Sequence, residues 1–124
     1  MYVKFEKRKD YLIVSLAGEL DHHSAEEVRL KIDDKIDKDN IKHVIMDFSS
    51  ITFMDSSGIG VVIGRYKKLQ LKKGSLVITS LTNNVKRIFN LSGMFKIIST
   101  FDSLDEAVSN IWWRGQWWKK IRWR

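Results

Sequence analysis

The spacing of apolar residues changes period several times along this chain. Residues 2–5 alternate polar and apolar, and Tyr11-Leu12-Ile13-Val14-Ser15-Leu16 is nearly continuous in apolar character. Both read as β-strands, and the polar residues 7–10 between them read as a hairpin turn. The period then lengthens. Ala25, Val28, Ile32 and Ile36 form one apolar stripe at helical spacing, with Lys and Asp on the other faces. Ser24 with Glu27 three residues on has the spacing of a capping box at the start of that helix.

The alternation continues to the end of the chain. Residues 43–48 read as a central strand, and a helix is predicted over 57–71, carrying Ile59, Val62, Ile63, Tyr66 and Leu69 and ending at Lys72-Lys73-Gly74. Residues 75–79 form the next strand. Asn83 or Asn84 caps a short helix with Val85, Ile88, Phe89 and Leu91, and Gly93 suits the position past its end. Lys96-Ile97-Ile98 reads as a short strand. Asp102 or Ser103 opens the last helix, where Ser103 and Glu106 repeat the capping-box spacing. The order is β-β-α-β-α-β-α-β-α. This is an α/β pattern, which calls for a mixed, mostly parallel sheet covered by helices.

Such sheets gather their strand-to-helix loops at the carboxyl ends of the strands, where ligands and switches sit. Residues 18–24 and 47–58 are two of these loops, and the topology places them side by side. The second ends in Asp55-Ser56-Ser57-Gly58, so two hydroxyls fall at a helix start. Free amides and the helix dipole there favour a negative group. The residues allow two readings: an ordinary helix cap, or a serine that receives a phosphate.

Composition narrows the other possibilities. At 124 residues the chain is read as one domain, and with no cysteine it forms no disulfide, zinc-thiolate site or thiol nucleophile. No signal peptide is recognised at the N-terminus, and no apolar run approaches the roughly 20 residues of a membrane span. The net charge is +7, unevenly spread. Residues 1–108 hold 17 Lys and Arg against 15 Asp and Glu, while residues 109–124 hold five Lys and Arg and no acid. The body is nearly balanced, so no nucleic-acid partner is expected of it.

No G-x-S-x-G elbow accompanies the serines, and Gly58, Gly60 and Gly64 do not form a phosphate-binding loop. The chain is therefore not expected to be an enzyme. His22-His23 is not expected to bind a metal, since neighbours on an extended chain point apart. Gly60 and Gly64 either allow close helix–sheet packing or leave a low surface for a partner. All five tryptophans lie in residues 112–123. That tail reads as an extension of the last helix, a Trp/Lys/Arg membrane-surface segment, or a foreign C-terminus. No membrane partner is expected of the domain.

Three motifs resemble one family. They are G-E-L-D-H-H-S-A-E at 18–26, F-M-D-S-S-G-I-G-V-V-I-G-R-Y-K at 53–67 and V-K-R-I-F-N-L-S-G-M-F-K-I-I at 85–98. In this order and spacing they resemble the anti-sigma factor antagonists, which carry the STAS domain, and most closely the sporulation branch. The resemblance covers about residues 2–110, which gives a domain at 1–110 and leaves 111–124 as a separate tail.

The resemblance implies a STAS-type fold with helices mainly on one side of the sheet. It implies a cytoplasmic, non-enzymatic, cofactor-free regulator that works by partner switching. The unphosphorylated form binds an anti-sigma factor that is also a serine kinase. This releases sigma-F for sporulation-specific transcription. The kinase uses Mg-ATP to phosphorylate the antagonist and switch it off, and a serine phosphatase restores it. By match to the motif, the phosphorylated residue is Ser56. Glu19, Asp21, Asp55, Ser57 and Gly58 are implied as partner-binding. The alternative is a STAS module in another partner-switching pathway, such as a stress response.

Overall fold

A computed structural model describes residues 1–111. The expectations for the Trp/Arg-rich tail lie, beyond Ile111, outside the described residues. The elements are β1 (Tyr2–Lys7), β2 (Leu12–Leu20), α1 (Ala25–Lys38), β3 (His43–Met54), α2 (Ser56–Leu71), β4 (Ser75–Thr79), α3 (Asn83–Ser92), a 3₁₀ turn (Met94–Lys96), β5 (Ser99–Phe101) and α4 (Leu104–Ile111). The five strands lie in the order β1-β2-β3-β4-β5. β1 is antiparallel to β2, and the other three pairs are parallel.

This order explains the layering. Right-handed crossovers that always step the same way along a sheet keep their helices on one face. Leu12, Val14 and Leu16 of β2, Val44, Met46 and Phe48 of β3, and Leu76 and Ile78 of β4 all point to that face. They pack against Val28, Ile32 and Ile36 of α1, Val61, Val62 and Leu69 of α2, and Val85 and Phe89 of α3. Each fully buried side chain of this size contributes about 1.5–3 kcal/mol. The intervening residues Ile13, Ile45 and Val77 point the other way and are covered by Ala107 of α4. The helices therefore lie mainly on one side, three against one. The central stretches of β2, β3 and β4 are apolar on both faces because both faces are covered there.

β3 is longer than its apolar run suggests. It pairs with β4 only as far as Asp47 opposite Thr79, then continues beside β2 to Met54 opposite Leu20. Between Ser15–Ala17 and Gly18–Glu19 the pairing slips, and each time β3 takes one extra residue. These bulges bend the strand. Gly18 sits at the second slip with φ +111, a conformation that favours glycine.

The strand expected at Lys96-Ile97-Ile98 lies elsewhere. Gly93 is left-handed at φ 75 and starts the 3₁₀ turn. The Ile97 and Ile98 amides both donate to the Met94 carbonyl, so they are taken up by the turn. Ile98 is buried in the core, and the strand begins at Ser99.

Candidate functional site

The carboxyl ends of β2 and β3 finish together. The Asp55 amide donates to the Leu20 carbonyl at 3.4 Å, which brings the two strand-to-helix connections into contact. Asp55 is extended (φ −120, ψ −169), and its carboxylate accepts from the Ser57 amide at 2.9 Å. Asp55 is therefore the N-cap of α2, Ser56 its first residue and Ser57 its second. The Gly58 and Ile59 amides donate to the Asp55 carbonyl at 3.0 and 3.3 Å. Ser56 is exposed, Ser57 half-buried and Gly58 buried. Among the described residues the Ser56 hydroxyl makes no hydrogen bond. Of the two hydroxyls at this helix start, Ser56 is the one presented to solvent.

Gly58 is where backbone meets backbone. A Cβ there would stand 2.9 Å from the Leu20 carbonyl oxygen and 2.7 Å from Met54 Cγ. Gly60 and Gly64 have nothing within 4 Å of such a Cβ. They do not serve close helix–sheet packing, which leaves the reading of a low outer surface on α2.

The first connection is organised by Asp21 rather than by a capping box. Its carboxylate accepts from the His23 and Ser24 amides at 2.9 and 3.2 Å. Ser24 itself is helical, and its side chain caps no helix amide. Its hydroxyl instead donates to the Glu19 carbonyl at 2.7 Å and accepts from the Asp21 amide at 3.2 Å. Burial would raise the Asp21 carboxyl, but the two amide bonds and the nearby imidazoles outweigh it and hold it below the usual value. The capping-box spacing was real at the other end of the chain, where the Glu106 amide donates to Ser103 Oγ at 3.0 Å.

The turn also changes the histidines. His22 and His23 do not point apart; their ring centroids lie 3.9 Å from each other. His22 Nδ1 is 3.7 Å from Asp55 Oδ2, and His23 Nδ1 is 3.8 Å from Asp21 Oδ2. Both rings are exposed. Among the described residues no group of three or more His, Asp or Glu is arranged to hold a metal ion.

Glu19, Asp21, Asp55, Ser56, Ser57 and Gly58 are thus gathered at one pole. Two neighbours were not assigned to this surface from the sequence. His22 reaches Asp55 across the two loops, and Phe53 pairs with Glu19 in the sheet while remaining 46% exposed. A single exposed aromatic is ordinary in itself, and its place beside the pole becomes visible only once burial is known. The third motif stands alongside: Val85 and Phe89 are in the core, and the Asn84 side chain donates to the Thr52 carbonyl at 3.4 Å. Among the described residues no helix is long and apolar enough to cross a membrane.

Comparison with known proteins agrees with this fold and motif set. Residues 2–107 match the STAS domain. The chain is 35% identical over 111 residues to the anti-sigma F factor antagonist of Paenibacillus polymyxa, covering 90% of this chain and 95% of that one. It is 30% identical over 93 residues to the anti-sigma-B factor antagonist of Listeria monocytogenes, covering 75% and 81%. The solved structure of the anti-sigma factor antagonist SpoIIAA in its unphosphorylated form superposes with a TM-score of 0.77 at 30% identity, covering 89% of this chain and 96% of that one. The chain belongs to the STAS-domain family of anti-sigma factor antagonists.

Proposed function

We propose that this protein is an anti-anti-sigma factor switched by phosphorylation of Ser56. The unphosphorylated form binds an anti-sigma factor that is also a serine kinase, and sigma-F is released to start sporulation-specific transcription. The observation that carries the reading is the exposed, unengaged Ser56 hydroxyl at the start of α2, beside Asp55 and the Glu19–Asp21 connection. Glu19, Asp21, Asp55, Ser57, Gly58 and the neighbouring Phe53 form the surface that meets the kinase.

In the switching step the Ser56 oxygen attacks the γ-phosphorus of ATP. The bond to the β-phosphate oxygen breaks, ADP leaves with Mg²⁺, and the hydroxyl proton passes to a base of the kinase. The product carries about −1.5 to −2 charges at that position near neutral pH. The N-terminus of α2 compensates part of this, so the fold survives. A partner seated over the pole meets a larger, charged group beside Asp55 and is repelled. A serine phosphatase removes the phosphate and restores binding. The antagonist works in the cytoplasm as a 1–110 domain, with 111–124 as an appendage outside the switch.

The similarity to a sigma-B antagonist favours one second reading, a partner switch of the stress-response kind with the same serine and a different kinase. The test is incubation with Mg-ATP and either a sigma-F-type or a sigma-B-type anti-sigma kinase, followed by peptide mass spectrometry. One phosphate on Ser56 with the first kinase is expected. Ser56→Ala should keep binding in the presence of ATP, and Ser56→Asp should weaken it. No phosphate on Ser56 with either kinase overturns the assignment.

A further inference from the structure

Residues 19–28 and 49–64, which build the switch pole, contain no lysine or arginine. Their titratable groups are Glu19, Asp21, His22, His23, Glu26, Glu27 and Asp55. A phosphate arriving here enters a field of carboxylates. Within these two segments the groups able to answer it with positive charge are the stacked imidazoles. His22 lies 3.7 Å from the carboxylate of Asp55, the residue that immediately precedes Ser56. His23 stacks behind it at 3.9 Å and faces Asp21 at 3.8 Å.

We propose that His22, backed by His23, is the cationic partner of a phosphomonoester on Ser56. The inference rests on the assignment of Ser56 as the phosphorylated residue. Imidazole and phosphomonoester both change charge close to neutral pH, so each favours the charged form of the other. In the unphosphorylated protein two stacked imidazolium ions would repel one another, while each ring has a carboxylate to turn to. Added phosphate shifts that balance toward a protonated His22 reaching across from the β2–α1 connection to the start of α2. The phosphate then lies between the positive end of the α2 dipole and an imidazolium, beside a loop that Asp21 has already pinned through the His23 and Ser24 amides. Both rings are exposed, with side-chain exposures of 69% and 78%.

The test is NMR titration of the full chain, before and after phosphorylation by an anti-sigma serine kinase with Mg-ATP, with the site checked by peptide mass spectrometry. The His22 ring should titrate about one pH unit higher in the phosphorylated form, about a tenfold gain in proton affinity. The ³¹P titration midpoint of His22→Gln should lie above that of the parent, His22→Lys should bring it back down, and His23→Gln should change it less. With phosphate on Ser56, an unchanged His22 titration, or a ³¹P midpoint indifferent to His22→Gln, overturns this inference alone. Phosphate on another residue overturns both it and the assignment of Ser56.

Discussion

Arg65 Nε and Asp33 Oδ1 lie 2.8 Å apart across the α1–α2 interface, in the middle of what reads as an apolar stripe. Arg65 is 7% exposed, and its guanidinium also donates to the Val61 carbonyl at 3.4 Å. The two groups meet as ions without a well-directed hydrogen bond. Asp33 holds Arg29 at 3.8 Å on its other side, and one turn further along Lys68 pairs with Asp37 at 3.0 Å. Burial lowers the Arg65 value, Asp33 opposes that, and Arg29 adds to it.

Removing Asp33 therefore leaves a buried cation with its main partner gone. Asp33→Ala should cost about 2–4 kcal/mol in urea unfolding. The double variant Asp33→Leu/Arg65→Met should recover most of that, since an apolar pair of similar size fills the gap without a charge. If the single and double variants are equally unstable, the pair acts through shape rather than charge.

The glycines of α2 should separate sharply. Gly58→Ala drives a methyl against the Leu20 carbonyl, which belongs to the sheet and cannot yield cheaply. A loss of about 1–3 kcal/mol is expected. Gly60→Ala and Gly64→Ala meet open space and should gain about 0.5–1 kcal/mol each by stiffening the unfolded chain and favouring helix. Thermal or urea unfolding of the three variants checks the order.

His43 should make stability depend on pH. Burial holds its imidazole below the usual histidine value, with Asp10 opposing and Lys42 assisting. Its Nδ1 lies 2.8 Å from Ser75 Oγ, which ties β3 to β4. The unfolded chain takes up the proton more readily than the folded one. The stability this residue contributes is therefore complete above the unfolded value of about 6.5 and is lost as pH falls below it. Unfolding free energies measured from pH 7.5 to 5 should decline in the parent, and His43→Gln should flatten that decline.

Phe53 should matter for binding and little for folding. It is 46% exposed, and its strand neighbour Glu19 is exposed as well. Phe53→Ala should weaken binding to the anti-sigma kinase about tenfold, as loss of an aromatic anchor does, with stability nearly unchanged. Calorimetry of binding beside a denaturation curve reads both. Unchanged affinity would move the interface away from the β3 end.

Hydrophobic period and loop chemistry determined the order of elements, the α/β class and the gathering of the 18–24 and 47–58 connections at one pole. These are legible because period, caps and crossover handedness are local or nearly so. Residues 75–79 match β4, and Asp55 heads α2, because their signals lie within a few residues of themselves. The resemblance of three motifs then named Ser56, which periodicity alone leaves as one of two serines. Tertiary structure decided what depends on contacts that period and spacing do not register. Arg65 sits in an apolar stripe because Asp33, on another helix, meets it there. β3 outruns its apolar core because bulges against β2 absorb two extra residues. Ser24 gives up its helix cap because the Glu19 carbonyl is within reach of its hydroxyl. The histidines stack because Asp21 turns the chain beneath them. In the first two a contact across the fold, and in the last two a hydrogen bond within the 19–24 turn, outweighs a local preference worth about 1 kcal/mol or less, which is why sequence period alone does not reveal it.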